Sequence, residues 1–250
     1  YVQKNWIYQK GQNTMDINLF KRKAAGFECL GPSVVAEAST FENSCNLNLW
    51  MSTRFKSPPD NESLAKWQLK HTSVLNKLNR YLQIEYPSSE IDMEYPLQSI
   101  SLCGNVLFGT PDAVVRFPDG RILVADAKSG KKKQTHWIQT ALYAIMIQAF
   151  ARSNGQPIPE IYGFALWYSD SSPFSISKKN IEFQTITGKN CLEEVLPEPT
   201  RERIRTILNI SSNEEMPAPR PSSNNCRFCK WKEGCMESFD PCDSLAVDAS

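Results

Sequence analysis

Two strand-like runs, Val106 to Phe117 and Arg121 to Ala127, meet at Pro118-Asp119-Gly120, and no other feature of the chain constrains its fold as tightly. Proline presets the backbone for a turn, aspartate bonds back to its own main chain, and glycine accepts positive φ. The two runs therefore read as a β-hairpin, in which pairing decides which side chains share a face. Ile91 to Ile100 is a third strand-like run just upstream. Downstream, Thr135 to Arg152 reads as a helix that stops at Ser153-Asn154-Gly155-Gln156-Pro157. Ile161 to Tyr168 is a short apolar run expected at the sheet centre, Ile181 to Ile186 is a further strand, and Thr200 to Leu208 is a short helix. Before the hairpin, Ser57 to Glu62 reads as a loop with Asp60 or Asn61 as helix N-cap. Leu64, Trp67, His71, Val74, Leu75, Leu78, Tyr81 and Leu82 follow at three- and four-residue steps, the apolar stripe of an amphipathic helix. Helix, three strands, helix and strand in that order predict an α/β fold, with a mixed central sheet flanked by helices.

The 250 residues suit one domain of 1–250 with additions, and no repeat of solenoid or propeller period is visible. Residues 1 to 35 show little periodicity, Pro217 to Pro221 is an extended spacer, and 240–250 reads as a loose tail. A net charge of +1 is no argument for nucleic-acid binding, so any basic surface must be local. The longest mostly apolar stretch, Ala141 to Ala151, is too short to span a bilayer and is broken by Gln148, so no membrane partner is expected. The N-terminus has neither an initiator methionine nor a signal-peptide core, and the chain is read as cytoplasmic. In that compartment eight cysteines are core thiols and metal ligands in preference to disulfides.

The chemistry concentrates between Gly109 and Tyr143. Gly109-Thr110-Pro111-Asp112 places an acid in the second strand region, and Asp126-Ala127-Lys128 ends the third. Alternation along a strand projects Asp126 and Lys128 to one side and Ala127 to the other. A hairpin partner brings Asp112 beside Asp126. Two carboxylates so placed repel unless a cation lies between them, which is what a Mg²⁺ or Mn²⁺ site requires. A neighbouring lysine then orients a water or neutralises charge developing on a phosphate. Asp-x-Lys alone is usually a solvated strand end; its order with the other elements gives it weight.

Three further features leave alternatives open. His71 lies in the apolar helical stripe, where a histidine is ordinarily a core residue bonded to backbone; His136, the other histidine, is expected at the surface. Cys226, Cys229 and Cys235 place three thiols within ten residues, enough to grip one metal. The nearest fourth ligand, Cys242, would complete a structural zinc site, while Cys103 and Cys191 read as buried or incidental thiols. Lys131, Lys132 and Lys133 are a run that is usually a solvated surface, but they adjoin the anionic-substrate site of the Asp-x-Lys strand and a helix N-terminus, and are read as contacts to a nucleic-acid backbone. Trp137 reads as core packing in preference to base stacking.

Gly-x-x-Asp, Asp-x-Lys and Gln139-x-x-x-Tyr143, in this order, resemble the RecB branch of the PD-(D/E)xK nucleases, and from about Ser39 to Cys235 the chain is most similar to the CRISPR-associated RecB-type exonucleases. The resemblance implies a restriction-endonuclease-like fold with Asp112, Asp126, the Ala127 carbonyl and His71 as ligands of Mg²⁺ or Mn²⁺. It implies Lys128 as the catalytic lysine, with Gln139 and Tyr143 positioning the nucleic-acid backbone. It further implies that a lone cysteine, Cys45, joins Cys226, Cys229 and Cys235 at an iron–sulfur cluster, 4Fe-4S favoured, linking segments 36–56 and 217–240. Cys45 follows Ser39-Thr40 and precedes Leu47, Leu49 and Trp50 as in that family, but Asn46 and Leu47 stand where proline or arginine is common, so Cys29 remains a substitute. The implied activity is exonuclease action on DNA, single-stranded or with single-stranded ends, trimming fragments before spacer integration beside CRISPR integrase proteins. The rival readings are a stand-alone repair or phage-type nuclease, a non-catalytic DNA-binding subunit with a structural cluster, and a zinc-stabilised interaction protein.

Overall fold

In the computed structural model the chain turns at Pro118-Asp119-Gly120. The Phe117 N–H donates to Arg121 O at 2.9 Å, the Gly120 N–H donates to Phe117 O at 2.9 Å, and Gly120 takes a φ of 85°. The structure describes residues 30–40, 45–56, 61–102, 105–169, 181–218, 220, 226, 229–231 and 235. In chain order its elements are α1 (Pro32–Thr40), α2 (Asn46–Arg54), α3 (Asn61–Glu85), β1 (Glu90–Met93), β2 (Leu97–Leu102), β3 (Asn105–Gly109), β4 (Ala113–Arg116) and β5 (Ile122–Lys128). Then follow α4 (Gln134–Ser153), β6 (Ile161–Ser169), β7 (Ile181–Thr187), α5 (Cys191–Val195) and α6 (Glu198–Ser212). Cys29, Cys103, Cys242, Asp60 and the expected tail from Asp240 lie outside the described residues.

The main sheet has five strands in the order β1-β4-β5-β6-β7. Only β5 and β6 run parallel, connected through α4, and the other neighbours are antiparallel. The order places β5 in the middle and β6 beside it, paired on both sides, so Ile161 to Tyr168 is an interior strand as its apolar run predicts. A correction concerns the two longer runs, each of which breaks in the middle. Pro96 and Pro111 offer no N–H to a ladder, so Ile91 to Ile100 divides into β1 and β2, and Val106 to Phe117 into β3 and β4. β2 and β3 pair with each other as a separate two-stranded sheet. At the break the Glu94 N–H donates to Asp112 O at 2.8 Å and the Tyr95 N–H to Pro111 O at 3.1 Å, with Glu94 at a φ of 48°. The interruption thus pins the backbone of Asp112.

Helices cover both faces. Val74, Leu78 and Leu82 of α3 pack on Ala113, Val115, Leu123, Ala125 and Ala127. On the other face, Leu142, Met146 and Ile147 of α4, with residues of α1 and α6, pack on Val114, Ile122, Val124 and Phe164. Alternate residues of β4 and β5 are thus shared between two cores, which is why both strands are apolar throughout. Helix α1 begins at Pro32, inside the stretch that showed no periodicity; nine residues are too few for a clear 3.6-residue pattern.

A third, smaller core holds α2 to the C-terminal part of the chain. Leu47, Trp50, Met51 and Phe55 enclose Trp231, and Trp231 Nε1 donates to Asn48 Oδ1 at 3.0 Å. Arg54 reaches across to α6, donating to Ser211 O at 2.9 Å and Asn213 O at 2.6 Å. Among the described residues no helix is long and apolar enough to cross a membrane.

Candidate active site

Strand register brings the two acids together. Ala113 is paired with Ala125, so Asp112, one residue before β4, faces Asp126 in β5. Both residues are buried, at 8% and 2% exposure. The Ala127 N–H donates to Asp112 Oδ2 at 2.6 Å. Ala125 and Ala127 pack toward α3 whereas Ile122 and Val124 pack toward α4, so Asp126 and Lys128 share the α4 side, as strand alternation predicts.

There α4 presents Gln139 and Tyr143, one helical turn apart. Lys128 Nζ forms an ion pair with Asp126 Oδ2 and donates to Gln139 Oε1 at 2.9 Å. Gln139 Nε2 donates to the Tyr143 hydroxyl at 3.2 Å. The four side chains form a continuous relay from carboxylate to phenol. Behind it, a Cβ on Gly109 would lie 2.7 Å from Tyr143 Cε1 and 2.9 Å from Pro32 Cδ, so the glycine of the Gly-x-x-Asp motif is a close-packing requirement.

His71 arrives from α3, on the opposite face of the sheet, with Nε2 3.4 Å from Asp112 Oδ1. Its ring is stacked on Trp67, centroids 4.7 Å apart and planes within 9°. The residues enclose a cleft of about 260 Å³, whose lining Thr110, Ser129, Gly130 and His136 complete.

Electrostatics follow from burial. Desolvation pushes Asp126 up to about 7, opposed by Lys128 and reinforced by Asp112. The hydrogen bond to Asp112 raises His71, against the opposing effect of burial. Burial, with the charge of Asp126 behind it, raises Tyr143 so that its hydroxyl keeps its proton. His136 is driven the other way, to about 4, by burial and then by Lys128 and Lys133.

These properties suit a hard divalent cation. Asp126 Oδ2 is buried and forms no properly directed hydrogen bond, only the ion pair with Lys128. A carboxylate in that state, beside a second carboxylate and an imidazole, is a donor set that a Mg²⁺ or Mn²⁺ ion would satisfy. In the structure these side chains are engaged with one another, and among the described residues no three His, Cys, Asp or Glu side chains are arranged to hold a metal ion.

The remaining expected residues are distributed as follows. Lys131, Lys132 and Lys133 are exposed on the loop between β5 and α4 and do not line the cleft; Lys132 Nζ lies 5.9 Å from the Tyr168 ring centroid. His136, expected at the surface, is half-buried in the cleft wall with Nδ1 3.1 Å from the Tyr168 hydroxyl. Trp67, read as part of the apolar stripe, is 50% exposed; among the described side chains of α3 the core contacts begin at Val74. Neither placement had a signal in the sequence beyond spacing, since each depends on which strand end the helix overhangs. Trp137 packs against the α4 core and Cys191 is buried in it, as expected.

Cys45, Cys229 and Cys235 border the small core around Trp231, and Cys226 is buried. Burial pushes the Cys229 thiol up, and the nearby Cys45, Cys226 and Cys235 push it further. The Arg220 N–H donates to Cys45 Sγ at 3.4 Å. Thiols are the soft ligands that iron or zinc selects, although among the described residues no three of them are arranged to hold a metal ion.

Residues 34–236 match the PD-(D/E)XK nuclease superfamily. No curated protein sequence matches the chain. A solved structure titled "Crystal structure of SSO0001" aligns with 87% of this chain and 90% of its own at 13% identity, with a TM-score of 0.40.

Proposed function

The chain belongs to the PD-(D/E)XK nuclease superfamily, and from that premise we propose that it is a Mg²⁺- or Mn²⁺-dependent DNA exonuclease acting on single-stranded DNA or single-stranded ends. One observation carries the reading: two buried carboxylates, Asp112 and Asp126, converge with Lys128 at the end of a hairpin, and one of them lacks a satisfying hydrogen bond. Asp112, Asp126, the Ala127 carbonyl and His71 would hold the ion, which when bound makes water more acidic and draws charge from a phosphate.

The chain's own groups do the rest. Asp126 and Gln139 hold the Lys128 ammonium from two sides, so its remaining proton can be given to a phosphate oxygen or can orient the attacking water. Gln139, tethered by the Tyr143 hydroxyl, keeps that ammonium from swinging into solvent. Lys131, Lys132 and Lys133 contact the strand's backbone beyond the cleft and confer affinity without sequence choice.

Around this nuclease domain, Cys45, Cys226, Cys229 and Cys235 bind an iron–sulfur cluster that closes a loop of nearly the whole domain. The support is the shared core of α2 and Trp231, which Cys45, Cys229 and Cys235 border, together with the long loop such a cluster would close. The role we infer is the trimming of DNA fragments before spacer integration, in the cytoplasm and alongside integrase proteins; the support is the order of motifs and cysteines together.

The test is digestion of end-labelled single- and double-stranded DNA with Mg²⁺, Mn²⁺ or EDTA. Metal-dependent release from single-stranded ends is expected, and Asp126→Ala or Lys128→Ala abolishes it while DNA binding persists. Wild-type rates in either variant refute the site. For the cysteines, anaerobically purified protein is coloured and iron-rich, and substitution of Cys229 bleaches and destabilises it; a colourless, zinc-rich wild type overturns the cluster.

A further inference from the structure

Among the described tryptophans, Trp50, Trp167 and Trp231 are buried and Trp137 is half-buried, whereas Trp67 is 50% exposed. It stands in the wall of the candidate cleft, with Asp112, Asp126 and Lys128 in the same wall. One ring face is covered by the His71 imidazole, stacked at 4.7 Å and nearly parallel. The exposure therefore falls on the opposite face and the edges. A large apolar ring left open at the rim of a polar cleft calls for a ligand in a way that a scattered surface residue does not.

We propose that the open face of Trp67 is a stacking platform for one unpaired nucleobase of the strand held in the cleft. The inference rests on the nuclease reading of the cleft and adds a substrate-positioning residue to it. Three features make the platform suitable. Every nucleobase has a π-face, so the contact tolerates sequence. His71 is held by Asp112 and backs the indole, so little side-chain freedom is lost when a base settles on it. The Lys128 ammonium lies in the same cleft, so a nucleotide whose base rests on Trp67 has a cation available to its phosphate. Inside a duplex both faces of a base are already covered by its neighbours. Trp67 therefore favours a strand whose end has been opened, and the preference for single strands resides in this residue.

The experiment measures binding separately from cleavage. Fluorescein-labelled single-stranded 12-mers, with all bases present or with one abasic residue placed in turn along the strand, are titrated with the full-length protein in EDTA and read by anisotropy. In the wild type, one abasic position is expected to weaken binding roughly 5- to 100-fold. Trp67→Ala should lose a similar factor on the complete strand and show no further loss at that position, and Trp67→Phe should retain most of the discrimination. The ring is half-exposed and outside the helix's core contacts, so both variants are expected to fold. Equal wild-type affinity for complete and abasic strands, or Trp67→Ala binding that keeps full abasic sensitivity, overturns the platform. Parallel cleavage assays in Mn²⁺ distinguish the two levels. Abasic sensitivity lost in Trp67→Ala without cleavage by any form supports the platform and refutes the nuclease, whereas cleavage without any abasic effect leaves the nuclease and removes the platform.

Discussion

Gly109→Ala tests whether the candidate site depends on packing behind it. The added Cβ would stand 2.7 Å from Tyr143 Cε1 and 2.9 Å from Pro32 Cδ, closer than a Cβ approaches non-bonded atoms, so something must shift. Neither neighbour gives way easily: Tyr143 is 6% exposed with its ring in the α4 core, and Pro32 is the first residue of α1. Overpacking of this kind costs about 1–3 kcal/mol. For a chain of 250 residues that is a fall in Tm of roughly 2–12 °C, at about 2–4 °C per kcal/mol. Activity should fall further than stability implies. Displacing Tyr143 pulls on Gln139 at 3.2 Å, and Gln139 holds Lys128 at 2.9 Å, so a shift of about 1 Å at the phenol reaches the ammonium. Misplacement on that scale lowers turnover by up to about 100-fold. The assay is thermal unfolding beside Mn²⁺-dependent cleavage, repeated on a Tyr143→Ala background where the ring clash is absent. The penalty of Gly109→Ala should shrink there to what the Pro32 contact alone imposes. A single variant with unchanged Tm and rate, or a penalty independent of Tyr143, would show that the ring does not bear on Gly109 and that the relay is not held from behind.

Two other perturbations address the frame and the cleft wall. Arg54→Ala removes a buried guanidinium that donates to Ser211 O and Asn213 O and lies 4.3 Å from the Trp50 ring centroid. Losing two charge-assisted bonds should cost about 2–5 kcal/mol, with Arg54→Lys intermediate, measured by denaturant unfolding; an unchanged midpoint would mean that α2 does not need this tie to α6. His136 should titrate near 4 by NMR, well below the ordinary 6.5, because burial, Lys128 and Lys133 all oppose its proton. Its unfolded form takes up a proton below 6.5 that the folded form refuses until about 4, so its contribution to stability is complete above 6.5 and is lost as pH falls from about 6.5 to about 4. His136→Gln should be less acid-sensitive in that window. A wild-type imidazole titrating at 6.5 or above would place His136 outside the cleft wall.

Most of the framework was legible in one dimension, because it rests on local chemistry. Pro118-Asp119-Gly120 turns the chain by itself, the alternation along β5 sends Asp126 and Lys128 to one side, and the spacing of Gln139 and Tyr143 puts both on one stripe of α4. Each follows from a backbone period or a turn residue, which a sequence states directly. The length of the strands was less legible, since Pro96 and Pro111 end ladders only where a partner strand needs their missing N–H.

What the chain alone could not specify was every relation between elements far apart in sequence. That β4 meets β5 with Ala113 against Ala125, and so puts Asp112 opposite Asp126, is a matter of register. That α3 overhangs the sheet end, bringing His71 to Asp112 and leaving Trp67 open, depends on how Val74, Leu78 and Leu82 seat on the sheet. That Cys45, Cys229 and Cys235 border one small core depends on Trp231 burying itself against α2. Local propensity acts over a few residues, whereas burial of apolar surface decides which distant segments meet, and it is that choice which assembles the cleft.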